Sequence, residues 1–292
     1  MGLRIRTNTS SQISQRYLSE NKENLDTSME RLASGYRINK SADDAAGLAV
    51  SESIRAKVRG LNTARRNAND AVSMVQIAEG SMNEMSNILI RLRELTVQSA
   101  SDTIGDQERG YLNREYTQLV DEIDRIGKTT EFNNLKLFES GDVSQFVIQV
   151  GTNGSAPEEN RDTIAINLEG LKFSAEDLGL GKEAEIGPST FGESGPTRDE
   201  IASKLTNIDT AITRIASERA TLGSVQSRLN SSLNNLGIQV ENMETARSRI
   251  KDVDFAAETS RLAQARVMSA SSTSVLAQAN AIPDMALQLL RS

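Results

Sequence analysis

The feature that most constrains this chain is an unbroken helical pattern of apolar residues from Val50 to Leu95. The apolar positions follow one another in steps of three or four residues, and no proline interrupts them. A helix over 44–100 is about 80 Å long at 1.5 Å per residue, far beyond the ~11–12 residues of an average globular helix. A pattern of this length predicts a coiled coil or a helical rod.

Two further helices are predicted beside the first. A second long apolar pattern covers 197–250, and Pro196 provides a helix start before it. A shorter helix covers 106–127, with Gly127 as its candidate C-cap. Ser41 or the Asp43-Asp44 pair is expected to cap the first long helix, and carboxylates are favoured at helix N-termini. None of these helices can bury its apolar stripe alone, so they are expected to pack side by side.

The middle of the chain changes from helical to strand periodicity. Apolar residues alternate with others over 146–150 and again over 163–168, with a turn signal at Asn153-Gly154 between them. This pattern predicts a small β-hairpin. Glycines and two of the four prolines over 179–197 indicate an irregular connector. The predicted fold is therefore mainly α: a long antiparallel helical coiled-coil rod with a small β-hairpin element and terminal helices.

The predicted domains are terminal helices over 1–43 plus 254–292 and a rod over 44–253, with a β and connector lobe at about 135–195. The terminal segments are dense in Ser, Asn, Gln and Ala. Segments so poor in large apolar groups are expected to order on association with other chains. The apolar residues expected to mediate that association are Ile13, Tyr17, Leu25, Leu32, Leu276, Ile282, Met285 and Leu289.

Composition excludes several classes of chemistry. The chain has no His and no Cys, so it cannot build a Ser-His-Asp triad, a His zinc site or a thiolate nucleophile. The Gly181-Lys182 pair lacks the first glycine and the Ser or Thr of a phosphate loop, because Glu176 and Glu183 stand there. We therefore expect no enzymatic activity, no cofactor and no metal.

The charge distribution and hydropathy exclude two kinds of partner. The formal net charge is −7; residues 1–66 carry 12 basic against 7 acidic side chains, and residues 139–200 carry 4 against 13. An N-terminal excess this modest lacks the concentrated basic stripe of a nucleic-acid interface. No stretch approaches the ~18–20 apolar residues of a membrane span, and the N-terminus has no apolar core of a secretory signal. We expect a cytosolic protein or one exported without a cleavable signal.

The segments that define this architecture also resemble one protein family. The conserved N-terminal region of bacterial flagellins is similar to RLASGYRINKSADDAAGLAVSESIRAKVRGLNTARRNANDAVSMVQIAEGSMNEM (31–85), RLRELTVQSA (91–100) and EYTQLVDEIDRIGKTTEFNNLKLF (115–138). The C-terminal region of that family is similar to LGSVQSRLNSSLNNL (222–236), TARSRIKDVDFAAETSRL (245–262) and VLAQANAIPDMALQLLRS (275–292). The chain resembles a short flagellin without large outer domains.

The resemblance implies a structural subunit that polymerises into the bacterial flagellar filament for motility. It implies export in an unfolded state by the flagellar type III system, and a secreted, extracellular location in the filament. The terminal helices would form the inner filament tube. The implied partners are further copies of the chain, the flagellar export chaperone on 255–292, and the filament cap and hook-associated proteins.

The resemblance also implies a surface read by the host Toll-like receptor for flagellin. The receptor-contacting positions of the family match Arg91, Leu95 and Glu115, and the second long helix adds Leu222, Val225 and Leu229. Relatives often carry Phe where Leu229 stands, and this removes an aromatic contact. The same surface also packs protofilaments in the family, so these residues serve either assembly alone or both roles.

Two alternatives remain open from the sequence, and a third lacks the residues it needs. A hook–filament junction protein of the same machinery shares the plan of terminal helices around a rod. A non-polymerising coiled-coil adaptor shares the helical periodicity. A flagellin with a catalytic insert would need the zinc motif H-E-x-x-H, which a chain without His cannot supply.

Overall fold

The computed structural model describes residues 7–138, 145–152, 162–167, 171–181, 186–188 and 196–291, with side chains described as far as residue 281. Within these described ranges there are five helices: α1 (Thr9–Ser34), α2 (Ala45–Ser99), α3 (Asp106–Thr129), α4 (Arg198–Lys251) and α5 (Phe255–Arg291). The described residues between α3 and α4 contain four short strands: β1 (Glu131–Phe132), β2 (Leu135–Lys136), β3 (Gln145–Gln149) and β4 (Thr163–Asn167). The expected mainly α class with a small β element is confirmed.

The chain forms two compact units. The first comprises residues 1–58 and 241–292, and the second comprises residues 59–240. In the second unit α2 and α4 run antiparallel, joined at the surface by an Arg93 Nε to Asp209 Oδ1 ion pair of 2.7 Å. The first unit contains α1, α5 and the adjoining ends of α2 and α4.

The core of the second unit lies along α2 and α4. Buried α2 residues recur in the three-four alternation of a heptad through Leu61, Ala64, Ala68 and onward to Leu92, the pattern that sustains knobs-into-holes packing. The residues of α4 that complete this core are also spaced by three, four or seven: Ile208, Ala211, Ile215, Leu222, Val225 and Leu229.

The expected cap at the beginning of α2 is confirmed for Asp44, whereas Asp43 bonds to residues that precede it in the chain. Asp44 Oδ1 accepts a hydrogen bond of 2.8 Å from the backbone N–H of Gly47, so its carboxylate caps the first turn. Asp43 Oδ2 accepts from the backbone N–H groups of Lys40 and Asn39, each at 3.0 Å. These bonds lower the pKa of the Asp43 carboxyl, the Lys40 N–H more than the Asn39 N–H.

The β element contains the two paired strands of the expected hairpin and a second hairpin, while the predicted turn at Asn153-Gly154 lies outside the described residues. Strands β3 and β4 pair antiparallel, with Phe146 opposite Ile166 and Ile148 opposite Ile164. Strands β1 and β2 form a two-residue hairpin whose turn residues, Asn133 and Asn134, have φ of 49° and 66°. Two positive φ values define a type I′ turn, which Asn tolerates better than most residues.

The segment predicted as an irregular connector from 179 contributes to the core. Ile186 is fully buried, and its backbone N–H donates to Asn113 Oδ1 at 2.9 Å, while its carbonyl accepts from Ser99 Oγ at 2.6 Å. The stretch just before it adds further buried side chains, and Phe173 meets Phe138 edge to face at 5.4 Å. Residues 182–185, 189–190 and 191–195 of the predicted connector lie outside the described residues.

The prediction that Gly127 caps α3 is wrong, and the glycine has a different role. The helix continues to Thr129, and Thr130 is its C-cap. Gly127 is buried, and a Cβ atom built on it would lie 2.8 Å from the carbonyl oxygen of Phe173. The glycine therefore permits close approach of the 171–175 backbone to α3.

Gly127→Ala is expected to lower the free energy of unfolding of the soluble chain by about 1–3 kcal/mol, because the backbone of Phe173 must shift to admit the methyl group. Gly80→Ala is the matched control: it lies inside α2 with open space around its Cβ position. The control should raise stability by about 0.5–1 kcal/mol, since alanine is the better helix former. Urea unfolding followed by circular dichroism measures both. Equal changes in the free energy of unfolding for the two variants would contradict the close approach of the Phe173 backbone to Gly127.

Candidate assembly interface

Arg91 and Glu115 form a surface ion pair between α2 and α3. Arg91 Nη2 lies 2.7 Å from Glu115 Oε1, and Arg91 Nη1 lies 3.0 Å from Glu94 Oε2. The Arg91 and Glu115 side chains remain 48% and 44% exposed. The hydrogen bond to Glu115, with that to Glu94 second, raises the pKa of the Arg91 guanidinium. These two predicted site residues therefore present one charged feature to solvent.

The four apolar residues predicted on the same surface do not lie there. Leu95 and Leu229 are 0% exposed, and Leu222 and Val225 are also buried. All four belong to the hydrophobic cluster of the second unit. The expectation that they offer side chains to a partner is corrected by this packing: in the chain as folded, they hold α2 and α4 together.

The sequence-based reasoning missed Arg93 as a surface residue. Its ion pair with Asp209 raises the pKa of the Arg93 guanidinium, first through the hydrogen bond and then through the charge of Asp209. Arg93 stands two residues after Arg91 in RLREL, and positions two apart project about 160° apart on an α-helix, given 3.6 residues per turn. Because Arg91 and Arg93 project from different sides of α2, the spacing predicts that Arg93 contacts a different helix from the one that Arg91 contacts.

Tyr116 is a buried polar group beneath the charged surface of α3. Its ring is 2% exposed, and its hydroxyl has no hydrogen-bond partner among the described residues. Burial raises the pKa of Tyr116 from 10.0 to about 12. Burial therefore favours the neutral phenol in the folded chain.

Stability at high pH should consequently depend on Tyr116. Below pH 10 the phenol is neutral in both states; between pH 10 and 12 the unfolded chain ionises first, which costs roughly 2–3 kcal/mol of stability by pH 12. Tyr116→Phe should remove this loss and leave stability at pH 7 unchanged or higher, since no hydrogen bond is broken. Urea midpoints at pH 7 and pH 11 measure the effect. Parallel pH dependence in both proteins would contradict it.

The terminal helices α1 and α5 pair antiparallel within the first unit. Ser11 Oγ donates to Asn280 Oδ1 at 2.7 Å, and Asn21 Nδ2 donates to Ser272 Oγ at 2.9 Å. Both seams follow the three-four alternation of a heptad, although many members are small or polar. The seam positions, all buried or half-buried, are Ser11, Ser14, Leu18, Asn21, Leu25, Ser28 and Leu32 in α1 and Glu258, Leu262, Ala265, Ser269, Ser272, Leu276 and Ala279 in α5. Thr27 and Arg31 of α1 are half-buried beside the seam.

The apolar residues of the terminal helices that were predicted to mediate association lie partly in the α1–α5 seam and partly on the surface. Leu25, Leu32 and Leu276 are half-buried in the α1–α5 seam. Ile13 and Tyr17 are 48% and 53% exposed, outside it. The side chains of the remaining three predicted residues lie outside the described residues: Ile282, Met285 and Leu289.

Several large apolar side chains of the pair remain exposed. Val267 of α5 is 68% exposed, Phe255 is 57% exposed and Val275 is 51% exposed. Because the seam offers few large side chains, this exposed apolar surface is the main part of the pair that further burial can stabilise. In the described part of the chain, no helix is both long and apolar enough to cross a membrane.

A short backbone link ties the α1–α2 connection to the α4–α5 connection in the first unit. Tyr36 and Asp252 form an antiparallel bridge, with Arg37 N–H donating to the Lys251 carbonyl at 2.7 Å and Val253 N–H donating to the Gly35 carbonyl at 3.0 Å. Lys251 Nζ lies 4.9 Å from the centre of the Tyr36 ring. Gly35, at φ 76°, ends α1 in the left-handed conformation that starts this link.

Two regions of the chain match models of known protein families. The bacterial flagellin N-terminal helical region matches residues 5–142, and the bacterial flagellin C-terminal helical region matches residues 205–290. Together the two matches contain α1, α2, α3, nearly all of α4 and most of α5. The described part of the chain contains no group of three or more acidic residues arranged to hold a metal ion.

Individual relatives agree with the family matches. A flagellin of Halalkalibacterium halodurans is 40% identical over 263 residues, covering 90% of each chain. A flagellin of Bacillus subtilis is 37% identical over 298 residues, covering 94% of this chain and 95% of the relative. The structure of a candidate flagellar hook-associated protein from Vibrio parahaemolyticus has a similar fold, with a TM-score of 0.57 over 72% of this chain and all of that one, at 12% identity. On sequence, the chain belongs to the bacterial flagellin family.

Proposed function

We propose that this chain is a structural subunit of the bacterial flagellar filament, located outside the cell. The observation that carries the proposal is 40% identity to a flagellin over 90% of both chains. The exposed apolar residues on α1 and α5 agree with it, because a polymer supplies the neighbours that would cover them.

The mechanism we propose is head-to-tail packing of unlike surfaces. When a patch on one copy binds a different patch on the next, the contact does not close on itself and generates an open helical filament. The terminal helices over 1–43 and 254–292 would line the filament interior, and residues 44–253 would surround them. Many modest helix contacts per subunit then supply strength that the small seam of one chain lacks.

Export through the flagellar type III system as an unfolded chain is part of this proposal. The chain has no Cys, so no disulfide must be broken or formed during passage. The proposed partners before and after passage are the flagellar export chaperone on 255–292, and the filament cap and hook-associated proteins at the growing end. The apolar positions of α5, such as Val267 and Val275, supply the surface that a chaperone would cover before export.

Recognition of the free subunit by the host Toll-like receptor for flagellin is a separate proposal. It rests on the exposed Arg91–Glu115 pair, not on the buried leucines. A receptor that binds this pair would contact the half-exposed Arg91 guanidinium and the half-exposed Glu115 carboxylate, which link α2 to α3. Such exposed charged groups are suited to polar contacts at the rim of an interface.

A hook–filament junction protein is the second candidate function, and one observation favours it: the fold similarity to the candidate hook-associated protein of Vibrio parahaemolyticus. At 12% identity this similarity concerns the fold alone. Deleting the gene and imaging cells by negative-stain electron microscopy tests whether the filament depends on this chain. Loss of the filament, restored by the intact gene, is expected for either function, because a filament also needs its junction to the hook. The number of copies per filament separates the two functions: a junction protein forms only a short zone, whereas a filament subunit is present along the whole length.

A further inference from the structure

One side of the α1–α5 pair carries a groove with a polar cavity at one end. The cavity measures about 410 Å³ and is lined by residues from both helices. Each helix contributes a row of three residues spaced by seven, and residues seven apart share a side of a helix in a coiled coil. We call this strip the α1–α5 groove: Asn24 and Arg31 of α1 and Arg261 and Met268 of α5 line the cavity, and the spacing of seven extends the strip to Tyr17 and Val275.

The polar end of the groove contains buried groups without partners. The Glu258 side chain is only 3% exposed; its Oε2 lies 3.3 Å from Arg261 Nη1, while its Oε1 has no hydrogen-bond partner among the described residues. Arg31 Nε is likewise buried without a partner. A buried carboxylate oxygen and a buried guanidinium N–H left unpaired are costly. The cavity therefore fits a group that both donates and accepts, such as a carboxamide or a hydroxyl.

The opposite end of the groove is apolar and open. Tyr17 is 53% exposed and Val275 is 51% exposed, and Met268 between the two ends is 48% exposed. An exposed apolar strip next to a buried polar cavity fits a partner that carries both apolar side chains and hydrogen-bonding side chains. Water molecules alone would satisfy the polar groups of the cavity but would leave the apolar strip uncovered.

The outer face of α5 has the complementary chemistry. We call it the α5 stripe: it is exposed and uncharged, and it consists of Ala263, Val267, Ala270, Ser274 and Gln278. From Ala263 to Gln278 the stripe rises by 15 residue steps, about 22 Å, against 14 steps, about 21 Å, from Arg261 to Val275 in the groove. Small side chains permit close helix approach, Val267 supplies apolar area, and Ser274 and Gln278 both donate and accept hydrogen bonds.

We infer that the α1–α5 groove of one copy receives the α5 stripe of a second copy. The inference rests on the proposed function, which brings copies of this chain together. Groove and stripe are different surfaces, so the contact is heterologous and propagates. The unpaired Glu258 and Arg31 select a neutral donor-acceptor group at one end of the groove, and this sets the register of the docked helix.

Disulfide trapping between copies tests this contact, because the chain has no cysteine of its own. One full-length variant carries Met268→Cys in the groove. A second carries one cysteine in the stripe, at Ala263, Val267, Ala270 or Ser274. The two are polymerised together, oxidised and separated on a denaturing gel. At least one stripe position should give mixed dimers well above the dimers of either variant alone.

Met29→Cys is the matched control, since Met29 is 49% exposed on α1 and lies about 140° around the helix from Asn24. It should give no mixed dimers with Met268→Cys. Trapping at Met29 equal to that at the stripe, or trapping nowhere in filaments that do form, overturns the inference and leaves the filament function standing. If the unmodified chain forms no filaments at all, the function itself has failed.

A second measurement addresses the polar cavity. Glu258→Gln should raise the critical concentration for seeded polymerisation roughly tenfold, because a charge-assisted hydrogen bond to the second copy is lost. Glu23→Gln makes the same charge change at an exposed position of α1 and should leave the critical concentration unchanged. Equal critical concentrations for both variants mean that water alone fills the cavity, and the inference is then wrong.

Discussion

Removal of residues 275–292 is expected to abolish filament formation while leaving the unit over 59–240 folded. The deletion takes away the α5 residues that meet the start of α1: Ala279, whose carbonyl accepts from Asn8 Nδ2 at 2.8 Å, and Asn280, which accepts from Ser11 Oγ. It also removes Leu276 from the seam and the exposed Val275. Without these residues the first turns of α1 have no helix to pair with, whereas Asn21 keeps its partner Ser272.

The deletion should not change the stability of the second unit, residues 59–240. Its hydrophobic cluster runs along α2, α3, the β element and α4, and none of its members lies beyond Leu233. The truncated chain should therefore retain the unfolding midpoint of that unit, because no buried contact of the cluster is lost. The expected loss is specific to polymerisation.

Negative-stain microscopy and pelleting after seeding with filament fragments measure polymer formation, and urea unfolding followed by circular dichroism measures the fold. The full chain at the same concentration is the control. Normal filaments from the truncated chain would show that the α1–α5 pairing is dispensable. A lowered midpoint for the 59–240 unit would instead show that the ends support the core.

The long helices could be predicted from the sequence because their pattern is strong. Over α2 the apolar residues recur for many turns without proline, and the observed bounds, Ala45–Ser99, lie within one residue of those predicted. The β3–β4 hairpin was predictable for the same reason, since its alternation is visible in Phe146 and Ile148. Strong periodicity of either kind fixes which side of an element is buried.

The seam of the terminal helices could not be predicted in this way. Apolar periodicity selects Ile13 and Tyr17, but the structure buries Ser11 and Ser14 and leaves the larger residues exposed. Small polar residues pack when a close helix neighbour covers them, and this neighbour is far away in the sequence. The core residues Leu171, Phe173 and Ile186 were missed because they lie in segments without regular secondary structure, where no period exists to mark them.

Leu95→Ala is expected to lower the free energy of unfolding of the soluble chain by about 2–5 kcal/mol, the range for emptying a fully buried leucine site. Leu95 is 0% exposed and belongs to the cluster that joins α2 to its neighbours. Val97→Ala is the matched control on the same helix, since Val97 is 49% exposed. The control should change stability little, because surface substitutions away from special features usually stay within about 0.5 kcal/mol.

The same variants separate packing from recognition. Arg91→Ala removes the exposed partner of Glu115 and should leave the urea midpoint nearly unchanged, since surface ion pairs contribute little. If receptor binding falls for Arg91→Ala without a change in stability, the receptor contacts the Arg91–Glu115 pair directly. If it falls only for Leu95→Ala, together with the urea midpoint, the leucine acts by holding α2 in place. A stable Leu95→Ala chain would mean that the site is not packed as the structure describes.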